Sequence, residues 1–313
     1  MKQLESAPAE DTVRPRVLVT GATGYVGGHL LPLLEDSAWQ VRCMVRDPAK
    51  LQGRVQANTE VCGGDVRDSR ALADALHEVH TAYYLIHLMS GTKDFEQEDR
   101  RAAIQFGRAA RAAGVRRIIY LGGLGDEQDP QLSPHLRSRH EVGSLLREAD
   151  VETVEFRASV VIGAGSLSYQ LLTSLTDRLP VMICPRWLTT PTQPIAVDDA
   201  LAYLMAALEL PPGPSRIFEI GGTDVVSYGD LIREYARQKG LTRWLISVPV
   251  LTPSLSSLWL ALVTPASFQI GRHLIEGLKN PTIVTEPSAQ EAFSIRPCGI
   301  QEAIRRAMDG SAE

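Results

Sequence analysis

The stretch Arg16-Val17-Leu18-Val19-Thr20-Gly21-Ala22-Thr23-Gly24-Tyr25-Val26-Gly27-Gly28 decides how this chain is read. Its first five residues form an apolar run of strand length, and the glycines that follow punctuate a turn into a helix. Gly21 lets the chain turn sharply off the strand. Gly24 removes the side chain that would hold a phosphate away from the backbone, and Gly27 lets the helix pack closely on the strand. A helix starting there presents unpaired N–H groups and the positive end of its dipole, a cradle for a dinucleotide pyrophosphate. Spaced glycines also serve ordinary turns, so the pattern takes its meaning from the strand before it and the helix after it.

Downstream, strand and helix alternate in the rhythm of a parallel sheet. Strands are expected at Gln40 to Val45, Glu60 to Gly63, Thr81 to Leu88, Arg117 to Leu121 and Val154 to Phe156. Between them the pattern predicts helices at Ser69 to Glu78, capped by Asp68 or Ser69, at Gln97 to Ala113 and at Pro134 to Glu148. Gly114 falls where a left-handed helix C-cap is expected. The result is an α/β fold with a doubly wound parallel sheet of Rossmann type. Residues 1–15 read as a flexible polar tail without the apolar core of a signal peptide, and residues 16–165 as the dinucleotide-binding domain. Residues 166–313 read as a smaller substrate-binding cap, whose elements around 195–240 return to the sheet. In that half, helices are expected at Leu167 to Leu179, Asp198 to Leu208 and Tyr228 to Lys239, a strand at Arg216 to Ile220, and a loop from Pro185 to Pro194.

A chain of 313 residues with 44% hydrophobic content can bury a full core, and its formal net charge of −5 argues against a surface built for nucleic acid or anionic membrane. Cys43, Cys62, Cys184 and Cys298 are scattered and form no CxxC pair, so neither a metal site nor a disulfide framework is expected. A reducing cytoplasm is the expected compartment. The greasiest stretch, Leu255 to Val263, is bracketed by Pro253 and Pro265, far short of the roughly 20 apolar residues that span a bilayer. The bulk around Trp259 would suit a lid or a subunit contact, which leaves room for a homo-oligomer.

Arg46 stands about 20 residues past the glycine turn, at the end of the second strand, where a dinucleotide-binding domain meets the adenosine ribose. An acidic residue there would accept from the ribose hydroxyls of NAD, whereas Arg pairs with the 2′-phosphate of NADP. Arg46, with Lys50 as a second cation, favours NADP(H). NAD(H) is the alternative if the neighbouring Asp47 occupies the discriminating position. Arg46 is also readable as a plain solvated charge at a strand end.

With the glycine turn, the segments Val45-Arg46-Asp47-Pro48, Gly64-Asp65-Val66, Phe156-Arg157-Ala158-Ser159 and Pro194-Ile195-Ala196-Val197-Asp198-Asp199 resemble the short-chain dehydrogenase/reductase superfamily, in its atypical, NmrA-like NAD(P)H-binding branch. The resemblance implies a cofactor site built from Gly21, Thr23, Gly24, Tyr25, Val26, Gly27 and Arg46, with Asp65 and Val66 near the adenine. Asp65 is equally a turn or cap residue by its surroundings. Typical members reduce or oxidise with a Tyr, a Lys four residues later and a Ser at the end of the preceding strand. This chain departs from that set: Gly122 and Gly123 stand where the Ser should be, His135 falls on the Tyr position and Arg139 on the Lys position.

Each replacement changes the chemistry. Glycine has no hydroxyl to donate, though its backbone lets a ligand approach. Arg139 keeps a positive charge that can hold ribose hydroxyls but does not give up a proton. His135 can transfer a proton near neutrality, with an unperturbed pKa of about 6.5 that the like charge of Arg139 would lower. A surface or capping histidine is the plainer reading. His87, at the end of the strand expected beneath the nicotinamide ribose, is either a ligand contact or a buried histidine satisfied by a carbonyl. Arg157 either clamps an acidic substrate group or pairs with a core carboxylate. Tyr169, Arg186 and Trp187 are candidate substrate contacts from the cap, and they also suit cap packing.

These readings predict an oxidoreductase of the atypical short-chain type that transfers hydride to a small apolar carbonyl, enone or quinone. The alternative is a non-catalytic NAD(P)H-binding redox sensor, which the missing Ser-Tyr-Lys set favours. A nucleotide-sugar epimerase is a third reading that normally needs the absent Tyr and Lys.

Overall fold

The computed structural model describes residues 14–87, 94–184, 186–247 and 277–311. In chain order the strands are β1 (Arg16–Thr20), β2 (Gln40–Val45), β3 (Glu60–Gly63), β4 (Thr81–Tyr84), β5 (Arg117–Gly123), β6 (Glu152–Ala158), β7 (Val161–Ile162), β8 (Val181–Cys184), β9 (Pro191–Thr192), β10 (Ile195–Ala196), β11 (Arg216–Ile220), β12 (Val226–Ser227) and β13 (Trp244–Ser247). The helices are α1 (Tyr25–Glu35), α2 (Ser69–Leu76), α3 (Phe95–Ala112), α4 (Pro134–Arg147), α5 (Leu167–Arg178), α6 (Val197–Ala206), α7 (Tyr228–Gln238), α8 (Ser288–Ala292) and α9 (Ile300–Asp309).

Seven strands form one parallel sheet in the order β11-β6-β5-β4-β1-β2-β3. Alternation along β1 sends Val17 and Val19 to one face and Leu18 to the other. Leu30, Leu31 and Leu34 of α1 and Leu204 of α6 cover the first face; Leu72 of α2, Phe106 of α3 and Leu146 of α4 cover the second. Burial on both faces explains why the strands read as continuous apolar runs, and helices on both faces make the sheet doubly wound. Strand order reverses beside β1, so the ends of β1 and β4 open a crevice where ligands collect in such sheets.

A second core lies beyond the sheet. Tyr169, Leu172 and Leu175 of α5 pack with Tyr228, Leu231 and Tyr235 of α7 and with Ile304 of α9. Capping is explicit in this part: Ser166 accepts from the Tyr169 N–H, and Ser227 and Asp230 form a reciprocal capping box at the start of α7. β8 and β13 form a separate parallel pair.

Three expectations need correction. The strand expected from Thr81 to Leu88 ends at Tyr84, and residue 88 lies outside the described residues. Its neighbour β1 stops at Thr20, where Gly21 turns at φ +81°, so the ladder has no partner beyond Tyr84 on that side. β5 and β6 run longer than expected, to Gly123 and Ala158, because they continue to pair with each other past that point. The Pro185 to Pro194 loop contains a 3₁₀ turn at Arg186–Thr189 and the short strand β9. Leu255 to Val263 lies outside the described residues. Among those described, no helix is long and apolar enough to cross a membrane.

Candidate functional site

A groove and a cavity meet at the carboxyl ends of the central strands. The groove encloses about 200 Å³ and is lined by Gly21, Thr23 and Gly24 at one part and by Arg46, Asp65 and Val66 at another, with His87 also on its wall. Glycine is required here by contact as well as conformation. A Cβ on Gly21 would stand 2.6 Å from the Leu85 carbonyl oxygen, and one on Gly27 only 2.3 Å from the Gly21 carbonyl oxygen. Gly24 caps α1 with extended backbone and no side chain of its own over the helix start. The N-terminus of α1 therefore faces the groove bare, a cradle that fits a dinucleotide pyrophosphate.

At the far end of β2 the two candidate discriminators separate. Arg46 is exposed on the groove wall, whereas the Asp47 carboxylate accepts from the Ala49 N–H and caps the short 3₁₀ turn Pro48–Leu51. Asp65 accepts from the Arg67 backbone N–H and from the Nε and Nη2 of its guanidinium at 2.9 and 2.8 Å, which holds the carboxyl below its ordinary range. The helix cap is Asp68, whose side chain accepts from Arg70 and Ala71.

The cavity, about 290 Å³, is walled mainly by apolar side chains from both halves of the chain, among them Leu121, Leu136, Val160, Leu171 and Leu278. His87 lines it as well as the groove, so the two spaces share that residue. His135, near the start of α4, and Arg139, one turn on, both lie on its wall. Behind them runs a chain of polar contacts. His135 Nδ1 lies 3.0 Å from His87 Nε2, and His87 Nδ1 lies 3.1 Å from Asp99 Oδ2. The same Asp99 oxygen accepts from Ser138 Oγ at 3.0 Å, and Asp99 is only 2% exposed. The Arg139 guanidinium donates to the Leu121 carbonyl and lies 5.2 Å from the Tyr120 ring centre.

Another polar feature sits across the cavity. Ser159 Oγ lies 2.6 Å from both Thr192 Oγ1 and Thr282 Oγ1, which are themselves 2.9 Å apart, so three hydroxyls close a ring. Ser159 and Thr282 face the cavity.

Other candidates are placed elsewhere. Val26 lines the cavity rather than the groove, and the Tyr25 ring turns toward Gly163, where a Cβ would stand 2.2 Å from its hydroxyl. Burial pushes the Tyr25 hydroxyl up to about 12. Arg157 is buried in an ion-pair network with Glu155 and Glu127, and Arg147 also pairs with Glu155; that satisfies its charge inside the protein, away from the cavity wall. Tyr169 points into the second core against Tyr235, and its helix neighbours Leu167, Ser168 and Leu171 face the cavity instead. The side chain of Trp187 lies outside the described residues. Sequence reasoning misses Asp99, Tyr228 and His140. Asp99 sits in the second turn of α3 among charged neighbours with no local mark of burial, and Tyr228 reaches the cavity from the start of α7. His140 Nε2 lies 2.9 Å from the Gly123 carbonyl oxygen.

This sheet order, with a glycine-built cradle across its strand ends, defines a dinucleotide-binding Rossmann protein. A family described as NAD(P)H-binding matches residues 21–163. The ceramide reductase of Caulobacter vibrioides is 31% identical over 269 residues, covering 82% of both chains. The photosystem II assembly factor Ycf39 of Cyanophora paradoxa is 24% identical, covering 84% of this chain and 79% of its own. Among solved structures, the Citrobacter sp. triphenylmethane reductase complexed with NADP(H) superposes with a TM-score of 0.73 at 17% identity, covering 93% of this chain and 99% of that one. An Escherichia coli NADPH-dependent quinone oxidoreductase complexed with NADPH gives 0.72, with the same identity and coverage; at such identities the likeness concerns the fold. The chain belongs to the atypical short-chain dehydrogenase/reductase family, in its NmrA-like NAD(P)H-binding branch.

Proposed function

We propose that the chain is an NADPH-dependent reductase acting on a carbonyl, enone or quinone carried by a largely apolar substrate, with His135 as the proton donor. The observation that carries this reading is His135 on the wall of an apolar cavity, held by His87 at the point where that cavity adjoins the cofactor groove. Gly21, Thr23 and Gly24 would hold the pyrophosphate, and Arg46 the adenosine end. When bound, the nicotinamide supplies a hydride.

The chain's own part is to exclude water and manage a proton. Leucine and valine walls favour an apolar body over a solvated one. His135, fixed through Nδ1, keeps its ring oriented, and an oriented imidazole is suited to protonate a developing oxyanion. Arg139 holds the end of β5 through the Leu121 carbonyl and places positive charge on the same wall. A relative named for ceramide reduction supports a lipid-like substrate within this class.

The test is NADPH oxidation across a panel of quinones, enones and long-chain ketones. His135→Phe should lower turnover by roughly 10²- to 10⁴-fold while NADPH affinity stays nearly constant. Undiminished turnover in that variant would remove His135 from the chemistry. A second reading, a cofactor-binding regulator without catalysis, is favoured by one observation: the only strand-end residues at the usual serine position are Gly122 and Gly123, which offer no hydroxyl. No turnover across the panel, together with NADPH-dependent binding to a partner protein, would select it.

A further inference from the structure

The polar chain behind His135 is longer than proton donation from one imidazole requires. Asp99 lines neither the groove nor the cavity, yet its buried carboxylate is directed at His87, and His87 at His135. An ionised carboxylate only accepts, so both Ser138 Oγ and His87 Nδ1 must donate to Asp99. That fixes the proton on His87 Nδ1 and leaves His87 Nε2 to face His135 Nδ1. Across that 3.0 Å contact one ring must donate and the other accept.

We infer that Asp99, His87 and His135 form a proton relay, in which His87 passes a proton to His135 as His135 gives one to the substrate. The inference rests on the reductase reading above. In the charged state His87 carries protons on both nitrogens beside the Asp99 carboxylate, and His135 carries its proton on Nε2 while Nδ1 accepts from His87. When the substrate oxygen gains the electron pair of the reduced bond, it takes the Nε2 proton of His135. The pair from that N–H bond stays on the ring, and Nδ1 takes the proton from His87 Nε2. Both rings end neutral with their protons on Nδ1, the substrate ends as a hydroxyl, and one proton from solvent recharges the relay. Asp99 acts as a positioning residue: it selects the tautomer of His87 and, through it, that of His135.

The test begins without any cofactor. Nitrogen-15 histidine spectra of the unmutated full chain at alkaline pH should show both His87 and His135 as Nδ1–H tautomers; His87 carrying its proton on Nε2 would overturn the relay. Asp99→Asn should release His87 from that tautomer and lower kcat by about 10- to 100-fold with the KM for NADPH unchanged. Ser138→Ala removes the other donor to Asp99 and should leave the tautomers in place. A kcat unaffected by Asp99→Asn, with the variant folded, would also overturn the proposal. If Asp99→Asn fails to fold, the spectra of the unmutated chain still decide. If no substrate is turned over, the reductase reading falls while the tautomers report separately on the hydrogen-bonded chain.

Discussion

Arg46 and Asp47 stand side by side at the end of β2, and of the two only Arg46 lines the groove. Asp47 is engaged as the cap of the 3₁₀ turn, so the cation is left on the groove wall. Binding of NADPH should exceed that of NADH, and Arg46→Ala should abolish the difference, a loss of about 1.5–3 kcal/mol for one charge-assisted contact. Fluorescence titration of both cofactors measures it; equal affinities in the unmutated protein would count against the arginine. At this scale much of the candidate site is legible in sequence, because His87 lies three residues past the end of β4 and His135 at a helix start, where ligands gather. Their mutual contact is not legible. It joins residues 48 positions apart, and their common anchor Asp99 reads as one more acid in a helix otherwise rich in exposed charge.

At the scale of the element, the turn from β1 into α1 carries its own stringency. A methyl group at Gly27 would overlap the Gly21 carbonyl, a backbone atom that cannot swing aside. Gly27→Ala should therefore push α1 off the strand, lowering the melting temperature and weakening NADPH binding together, both readable by thermal shift with and without cofactor. Ser227→Ala removes half of the capping box of α7 and should cost about 1 kcal/mol in denaturant unfolding, with the groove untouched. The elements themselves are largely legible, since strand runs, helix periods and cap residues are local signals. Where β4 stops is not, because that depends on where its neighbour β1 turns away.

At the scale of the whole molecule, burial sets the response to acid. His140 is packed beside Arg157 in a dry environment that holds its imidazole below the ordinary range, and burial does the same to His80. As pH falls, the unfolded chain takes up these protons first, so stability present above about pH 6.5 is lost below it. Urea unfolding at a series of pH values should show that loss, and His140→Gln, which can still donate to the Gly123 carbonyl, should flatten it. Fold class is legible at this scale because the sheet repeats one simple unit. The cavity is less so: its walls come from β5, α4, α5, α7 and the chain near residue 280, and no spacing in sequence announces that they converge.

The ring of Ser159, Thr192 and Thr282 ties the end of the sheet to two later segments of chain, and its closure has a directional consequence. Each hydroxyl owns a single hydrogen, and in a closed triangle each hydrogen points at the next oxygen, clockwise or counter-clockwise. None remains for a guest, while lone pairs on Ser159 and Thr282 still look into the cavity. That wall can receive a hydrogen from an alcohol or amide N–H of a bound molecule, and it can offer one to a carbonyl only by breaking the circle.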